Sequence, residues 1–327
     1  MALVKAKDLC KSYRVSVKTP GISGALSNFF NRKFQTVQAV RNVSFQINRG
    51  EMVGFIGPNG AGKTTTLKML CGLICPTSGE VIVGGKKPFA RDKEFLRQIT
   101  LVMGQKQQLI WDLPPLDSLY VNAAVYGINR TEAKERIKEL SSMLELDEEL
   151  TRPVRKLSLG QRMKAELLAS LLHRPSVLFL DEPTLGLDVN AQARVRKFLA
   201  DYNKKYGATV LLTSHYMADI TSLCSRVMLI HKGSLFHDGS LESLTERLTP
   251  YRSVKIAFKE PQEHHLLKKF GELEECDGYL ARILIPREKL TNSVSSILNN
   301  FPVKDLEIGD PPIEELIGKL FQSGKVQ

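Results

Sequence analysis

The sequence predicts an α/β fold, a parallel sheet covered by helices, followed by a small α+β unit. Residues 53–56, 177–180, 209–212 and 227–230 are short apolar runs, too short for helices, and Pro175 and Pro183 flank the second of them. Runs apolar at every position, with helical patterns between them, describe strands buried on both faces, which is the signature of a parallel sheet. After Gly239 the pattern changes to alternation, as in Ser-Val-Lys-Ile-Ala-Phe over residues 253–258.

The elements follow in order. Residues 64–70 read as a helix after the first apolar run. Residues 116–173 are dominated by charged helical patterns such as Thr-Glu-Ala-Lys-Glu-Arg-Ile-Lys-Glu-Leu at 131–140, a helical insert in the sheet domain. Beyond residue 240, strands are expected over 253–258, 280–285 and 303–308, and a helix over 287–300. A last helix through Phe321 would start at Pro311-Pro312, proline being tolerated in a first turn. The expected domains are 1–240 and 241–327, the second without visible chemistry and assigned an accessory, dimerisation or regulatory role.

Composition bounds the function. At 327 residues, with 43% hydrophobic and 25% charged, the chain is globular rather than disordered or fibrous, and long enough for two domains. Charge-free runs scarcely exceed a dozen residues, whereas a membrane helix needs about 18. The opening Met-Ala-Leu-Val-Lys-Ala-Lys-Asp lacks the apolar stretch of a signal peptide. Five cysteines without CxxC or paired Cys/His spacing predict a reduced, cytosolic chain without structural zinc. The net charge of +11 is concentrated in residues 1–50, where nine Lys/Arg face Asp8 alone. Such an end suits a polyanion, either nucleic acid or an anionic membrane surface, or plain solvation. Within it, residues 15–37 interrupt the first hairpin. Ile22, Leu26, Phe29 and Phe30 fall there at helical spacing beside Arg32 and Lys33, a candidate basic amphipathic helix for the membrane surface or a membrane subunit.

Gly57-Pro58-Asn59-Gly60-Ala61-Gly62-Lys63-Thr64 matches G-x-x-x-x-G-K-[ST], after an apolar strand and before a helix. Glycines let successive N–H groups face phosphate oxygens, and the helix start adds its positive dipole end. Lys63 then reaches the β- and γ-phosphates of ATP, and the Thr64 hydroxyl ligates Mg²⁺. The run at 177–180 ends in Asp181-Glu182, which supplies a Mg²⁺ ligand and a general base for the attacking water.

Leu157-Ser158-Leu159-Gly160-Gln161 resembles the LSGGQ signature of ABC-type ATPases, with Leu159 in place of the first glycine. Gln105 resembles the Q-loop glutamine, with Gln107 and Gln108 beside it. Gly186-Leu187-Asp188 resembles the D-loop, Thr213-Ser214-His215 the switch histidine, and Tyr13 the aromatic that stacks on adenine. Taken alone, Asp188 or Asn190 is a helix cap, Ser158 an N-cap and His215 a polar strand-end residue. The resemblance covers roughly residues 3–240. It implies a P-loop NTPase, RecA-like, with a parallel-sheet core, an antiparallel β subdomain and a helical subdomain. It places residues 57–64 and Thr65, with Tyr13, Ser158, Gly160, Gln161 and Asp188, around ATP. Thr64, Gln105 and Asp181 fall at Mg²⁺, and Lys63, Gln105, Glu182 and His215 in the reaction.

The resemblance further implies two copies, head to tail, with Ser158 and Gly160 of one touching the γ-phosphate held by the other. Residues 108–116, with Leu109, Ile110, Trp111 and Leu113, are either core or the socket for a membrane subunit. The motif neighbourhood is similar to that of two-component drug- and viologen-type exporters. Tyr216 after the histidine, where importers more often carry an acid, favours export. The expected location is peripheral, on the cytoplasmic face of the membrane, with no nucleic-acid partner. The alternative is a soluble ABC-type ATPase acting on nucleic acid or in assembly.

Overall fold

Two long strands, β1 (Ala2–Ser16) and β2 (Phe34–Asn48), begin the fold, and seven shorter ones follow in the first of its two units, Met1–Gly239. They are β3 (Met52–Ile56), β4 (Ser78–Val83), β5 (Ile99–Met103), β6 (Val177–Asp181), β7 (Thr209–Thr213), β8 (Arg226–His231) and β9 (Ser234–Gly239). The structure, a computed structural model, describes residues 2–16, 34–103, 108–248, 250–311 and 316–317.

The four apolar runs are strands of one sheet of order β5-β6-β7-β3-β8-β9, in which all neighbours but the last pair are parallel. Every residue of β3, β6 and β7 is buried, as continuous apolar runs require. A second, antiparallel sheet has the order β2-β1-β4. Its Val4, Leu9, Val43 and Ile47 share one core with Phe55, Leu67 and Met228.

The expected interruption at residues 15–37 is narrower than its sequence limits. Val15 pairs with Gln35 and Ser16 with Phe34, so residues 15–16 and 34–37 are strand, because the ladder carries the β1–β2 ribbon outward beyond the core. The proposed amphipathic helix, with Ile22, Leu26, Phe29 and Phe30, lies outside the described residues.

Helices Pro115–Val125, Arg130–Met143 and Leu159–Leu171 form the helical region. Each start has a local reason: proline in the first turn of the first, Asn129 accepting from Glu132 N–H at 2.9 Å for the second, Ser158 capping the third. Buried Lys164 ties the last two together by donating to the carbonyls of Leu144 and Glu145. Helix Val189–Tyr206 buries Val195, Phe198, Leu199 and Tyr202, one stripe at i, i+3, i+4 and i+7, and ends at Gly207 with φ +61°.

The second unit, Ser240–Gln327, runs helix Leu241–Leu248, β10 (Tyr251–Phe258), helix His264–Leu267, β11 (Glu272–Cys276), β12 (Leu280–Pro286), helix Leu290–Asn300 and β13 (Val303–Gly309). From β10 onward this is a β-α-β-β-α-β motif with an antiparallel sheet of order β11-β12-β10-β13. Alternate residues Val254, Ile256 and Phe258 of β10, with Ile283 and Ile285 of β12, pack with Leu267 and Ile297 of the helices. Several details differ from the sequence expectation: the helices Leu241–Leu248 and His264–Leu267 were not expected. Residues 287–289 form a 3₁₀ turn before the helix, and β11 is an additional strand. Of the expected last helix, residues 311 and 316–317 are described; Pro311 is not helical and 316–317 are. Among the described residues no helix is long and apolar enough to cross a membrane.

Candidate functional site

The strand order explains why distant motifs meet. β6, β7 and β3 are adjacent and parallel, so their C-terminal ends share one edge of the sheet, where ligands bind in open α/β sheets. The glycine loop follows β3, Asp181-Glu182 closes β6, and His215 follows β7.

The loop is tightly enclosed. A Cβ on Gly57 would stand 2.3 Å from the Ile230 carbonyl oxygen, and one on Gly62, at φ +109°, 2.5 Å from that of Ala39. No other residue fits either place. Gly62 leads into helix Lys63–Leu70 without a side-chain cap, which leaves its first N–H groups to a ligand. Buried Lys63 donates from Nζ to the carbonyls of Gly57 (2.7 Å) and Pro58 (3.1 Å). Burial lowers the pKa of this amine, while the carboxylates of Glu182 and Asp181 oppose the shift.

Both oxygens of Asp181 are engaged: Oδ2 accepts from Thr64 Oγ1 at 2.9 Å and Oδ1 from Thr213 Oγ1 at 2.7 Å. Glu182 has φ +56°, a left-handed conformation that a non-glycine residue keeps only when its surroundings impose it. Its N–H donates to Thr213 O at 3.1 Å, and its Oε1 stands 2.8 Å from His215 Nε2. The Glu182 and His215 side chains are 25% and 39% exposed, so water reaches both.

Lys63, Thr64, Asp181, Glu182 and His215 are thus brought together. Ser158, Gly160, Gln161 and Asp188 form a second group, lining a cavity of about 340 Å³ with Lys164 and Arg194. Among the described residues no hydrogen bond or ion pair joins the two groups. Ser158 and Gln161 make a reciprocal capping box, Ser158 Oγ accepting from Gln161 N–H (3.2 Å) and Gln161 Oε1 from Ser158 N–H (2.9 Å). Gln161 also donates to Glu149, so its side chain is committed to the helix tip. A Cβ on Gly160 would stand 3.1 Å from that of Ala191. Asp188, not Asn190, caps helix Val189–Tyr206, accepting from Ala191 N–H at 2.8 Å.

Half-buried Tyr13 pairs with Val37, two residues before the Ala39 carbonyl that packs on Gly62, and the Lys11 ammonium lies 5.2 Å from its ring centroid. Gln105 lies outside the described residues. The apolar cluster after it divides: Leu109 is core, whereas Ile110, Trp111 and Leu113 are exposed, with Arg162 over the Trp111 ring. Beside Gln108 a groove of about 650 Å³ is lined by Leu96, Val102, Met103, Val125, Tyr126 and Met163.

The roles of three residues escaped the sequence reading. Thr213 bridges Asp181 and Glu182. Buried Glu166 accepts from the N–H groups of Gln108 (2.8 Å) and Leu109 (3.3 Å), and burial raises its pKa. Asp219 is fully buried. The one sequence signal for the last two was an acid set among apolar neighbours.

Comparison with known proteins gives a consistent picture. Residues 40–185 match the family described as "ABC transporter", and residues 250–309 match "EvrA-like ABC transporter, C-terminal domain". The chain is 36% identical over 220 residues to the ABC transporter ATP-binding protein NatA of Bacillus subtilis, covering 67% of this chain and 89% of that protein. It is 32% identical over 226 residues to the bacitracin transport ATP-binding protein BcrA of Bacillus licheniformis, covering 69% and 72%. A solved structure of an ATP-binding subunit of an ABC transporter superposes with a TM-score of 0.61 at 26% identity, covering 75% of this chain and 92% of that one. The dimeric cassette MJ0796 bound to ADP and Pi superposes with a TM-score of 0.60 at 25% identity, covering 73% and 98%.

Proposed function

Because the chain belongs to the family of ABC transporter ATP-binding proteins, we propose that the edge shared by β3, β6 and β7 is its ATPase site and that the chain drives a membrane exporter. That it binds and hydrolyses ATP as a transporter subunit follows from the family; the residue roles and the exported cargo are our reading. The observation that carries it is the pair of contacts at that edge, Thr64 to Asp181 and Glu182 to His215.

The N–H groups of residues 60–64 and the Lys63 ammonium bind the phosphates. The Thr64 hydroxyl and the Asp181 carboxylate, 2.9 Å apart, are a hard-oxygen donor pair of the kind that suits Mg²⁺. Thr64 and Asp181 would hold Mg²⁺ there, which would supply neutralisation of phosphate charge. Glu182 accepts the proton of the attacking water, and His215, donating from Nε2, orients the Glu182 carboxylate.

Two copies complete the site. Among the described residues the Ser158 helix tip and the glycine loop make no polar contact within one chain, and a head-to-tail partner would bring the tip onto the γ-phosphate. The dimeric state of the MJ0796 cassette supports dimerisation. In this reading a membrane subunit docks at the groove beside Gln108 and on the exposed Ile110, Trp111 and Leu113 that follow it in sequence, with the chain peripheral on the cytoplasmic face of the membrane. Export of a drug-like cargo is supported by the bacitracin relative and by a probable multidrug ABC transporter ATP-binding protein, YbhF of Escherichia coli, 36% identical over 228 residues, with 69% of this chain and 39% of that protein covered. The second unit serves dimer contact or regulation.

The test is Glu182→Gln. Phosphate release should fall by about 10²–10⁴-fold, the usual contribution of a general base, while Mg-ATP binding persists and a dimer accumulates on size exclusion. Near-normal turnover would remove Glu182 from its role, and a persistent monomer would remove the shared site. Copurification of a multi-span membrane protein with the full chain tests the transport reading. Truncation after Gly239 with dimerisation and transport unchanged would end the assignment for the second unit.

A further inference from the structure

The most connected buried carboxylate beside the reaction centre is one to which the chemistry above assigns no role. Asp219 lies in helix Met217–Leu223, four residues beyond His215, and is 0% exposed. Its Oδ2 accepts from Thr184 Oγ1 and, at 2.6 Å, from Ser214 Oγ; its Oδ1 accepts from Arg196 at 2.9 Å. These donors come from three separate segments. Thr184 stands two residues after Glu182, Ser214 immediately precedes His215, and Arg196 is on the helix that Asp188 caps.

A fully buried carboxylate must find donors somewhere, but nothing requires them to come from three separate segments. Burial of a full charge with its ion-pair partner adds little to stability compared with apolar packing, so the bonds are better understood by what they hold in place. What they hold is the pair of loops whose side chains meet as Glu182 and His215. The left-handed backbone of Glu182 is pinned on one side by Thr213 and on the other by Thr184 through Asp219.

We propose that Asp219 is a positioning residue of ATP hydrolysis. It binds the loop after Glu182 to the loop before His215, fixes their 2.8 Å contact, and links that pair through Arg196 to the helix beginning beside Asp188. The proposal rests on the reading of Glu182 as general base.

Steady-state ATP hydrolysis by the full-length chain tests it, using Thr184→Val and Ser214→Ala, which each remove one arm, and Asp219→Asn, which disturbs all three. We expect kcat to fall by about 10-fold for each arm and about 100-fold for Asp219→Asn, with KM for ATP held within about threefold, the pattern of an interaction that acts in the transition state. In a His215→Ala background, Asp219→Asn should lower kcat by less than about threefold more, since residues acting as a unit are not additive. A purely structural role gives the opposite result: a lower melting temperature and unchanged kcat per folded molecule. Thr184→Val and Ser214→Ala within twofold of the parent would overturn the proposal even if Asp219→Asn fails to fold. If Glu182→Gln is inactive while those two variants are normal, only the role of Asp219 falls. If Glu182→Gln is active, the underlying reading falls first.

Discussion

The glycine-loop edge and the signature helix tip satisfy their polar groups in opposite ways. At the edge, Lys63 bonds within its own loop, but the other functional side chains reach far along the chain: Thr64 to Asp181, Thr213 to Asp181, His215 to Glu182. At the tip, Ser158 and Gln161 satisfy each other three residues apart. The edge is therefore a coupled unit whose members fail together, whereas the tip is a self-contained helix start that can meet a second molecule without rearranging. The proposed site split between two copies would use one half of each kind: a preorganised reaction centre, and a preformed anion-binding surface to close over it.

The comparison breaks most readily at Asp181. Asp181→Asn should reduce turnover by about 100-fold or more, and adding Thr64→Val should cost far less than the single change costs in the parent, because contacting residues are not additive. A double variant whose losses simply multiply would show that the edge is not coupled.

The next largest effect concerns the far end of the signature helix. His173, just past Leu171, is stacked on Tyr126 at 3.9 Å, and its Nε2 lies 3.2 Å from the Ile99 carbonyl of β5. Burial brings its pKa down to about 4, so the fold holds it neutral. A base with a depressed folded pKa binds more protons when unfolded. Its stabilisation is present above the ordinary histidine value of about 6.5 and is lost as pH falls toward about 4, at most about 3 kcal/mol. Between those pH values hydrogen exchange should rise first in residues 115–171 and later in β3, and His173→Gln should weaken that acid response. An unchanged acid response in the variant would exclude His173 as its source.

The smallest effect sharpens the other half. Ser158→Ala should lower thermal stability by only about 1 kcal/mol, the usual loss of a cap. ATP affinity of the single chain should not change, but turnover by the assembled dimer should fall. A Ser158 variant with normal turnover would detach the tip from the site.

Much of this was readable in contiguous residues. The glycine loop, the Asp181-Glu182 strand end, the buried strands and the Ser158 tip each announce themselves within about ten residues, the range over which spacing and apolar period act. β11 was missed because Glu272-Leu-Glu-Glu-Cys carries three acids in five residues. It becomes a strand only through pairing with β12, and charge on an edge strand is a common guard against aggregation. The ribbon limits at Ser16 and Phe34 were likewise set by the ladder rather than by composition.

By itself the sequence determined which groups this protein possesses: a phosphate loop, an acid pair, a capped helix start, and strands apolar enough to bury. Only the tertiary structure decided which of them face one another. The β6-β7-β3 order places Thr213 and His215 against the acids, and folding brings Thr184 onto Asp219 across 35 residues. Periodicity and spacing are properties of neighbours along the chain, but a buried carboxylate takes its donors from whatever the packed strands and helices set beside it.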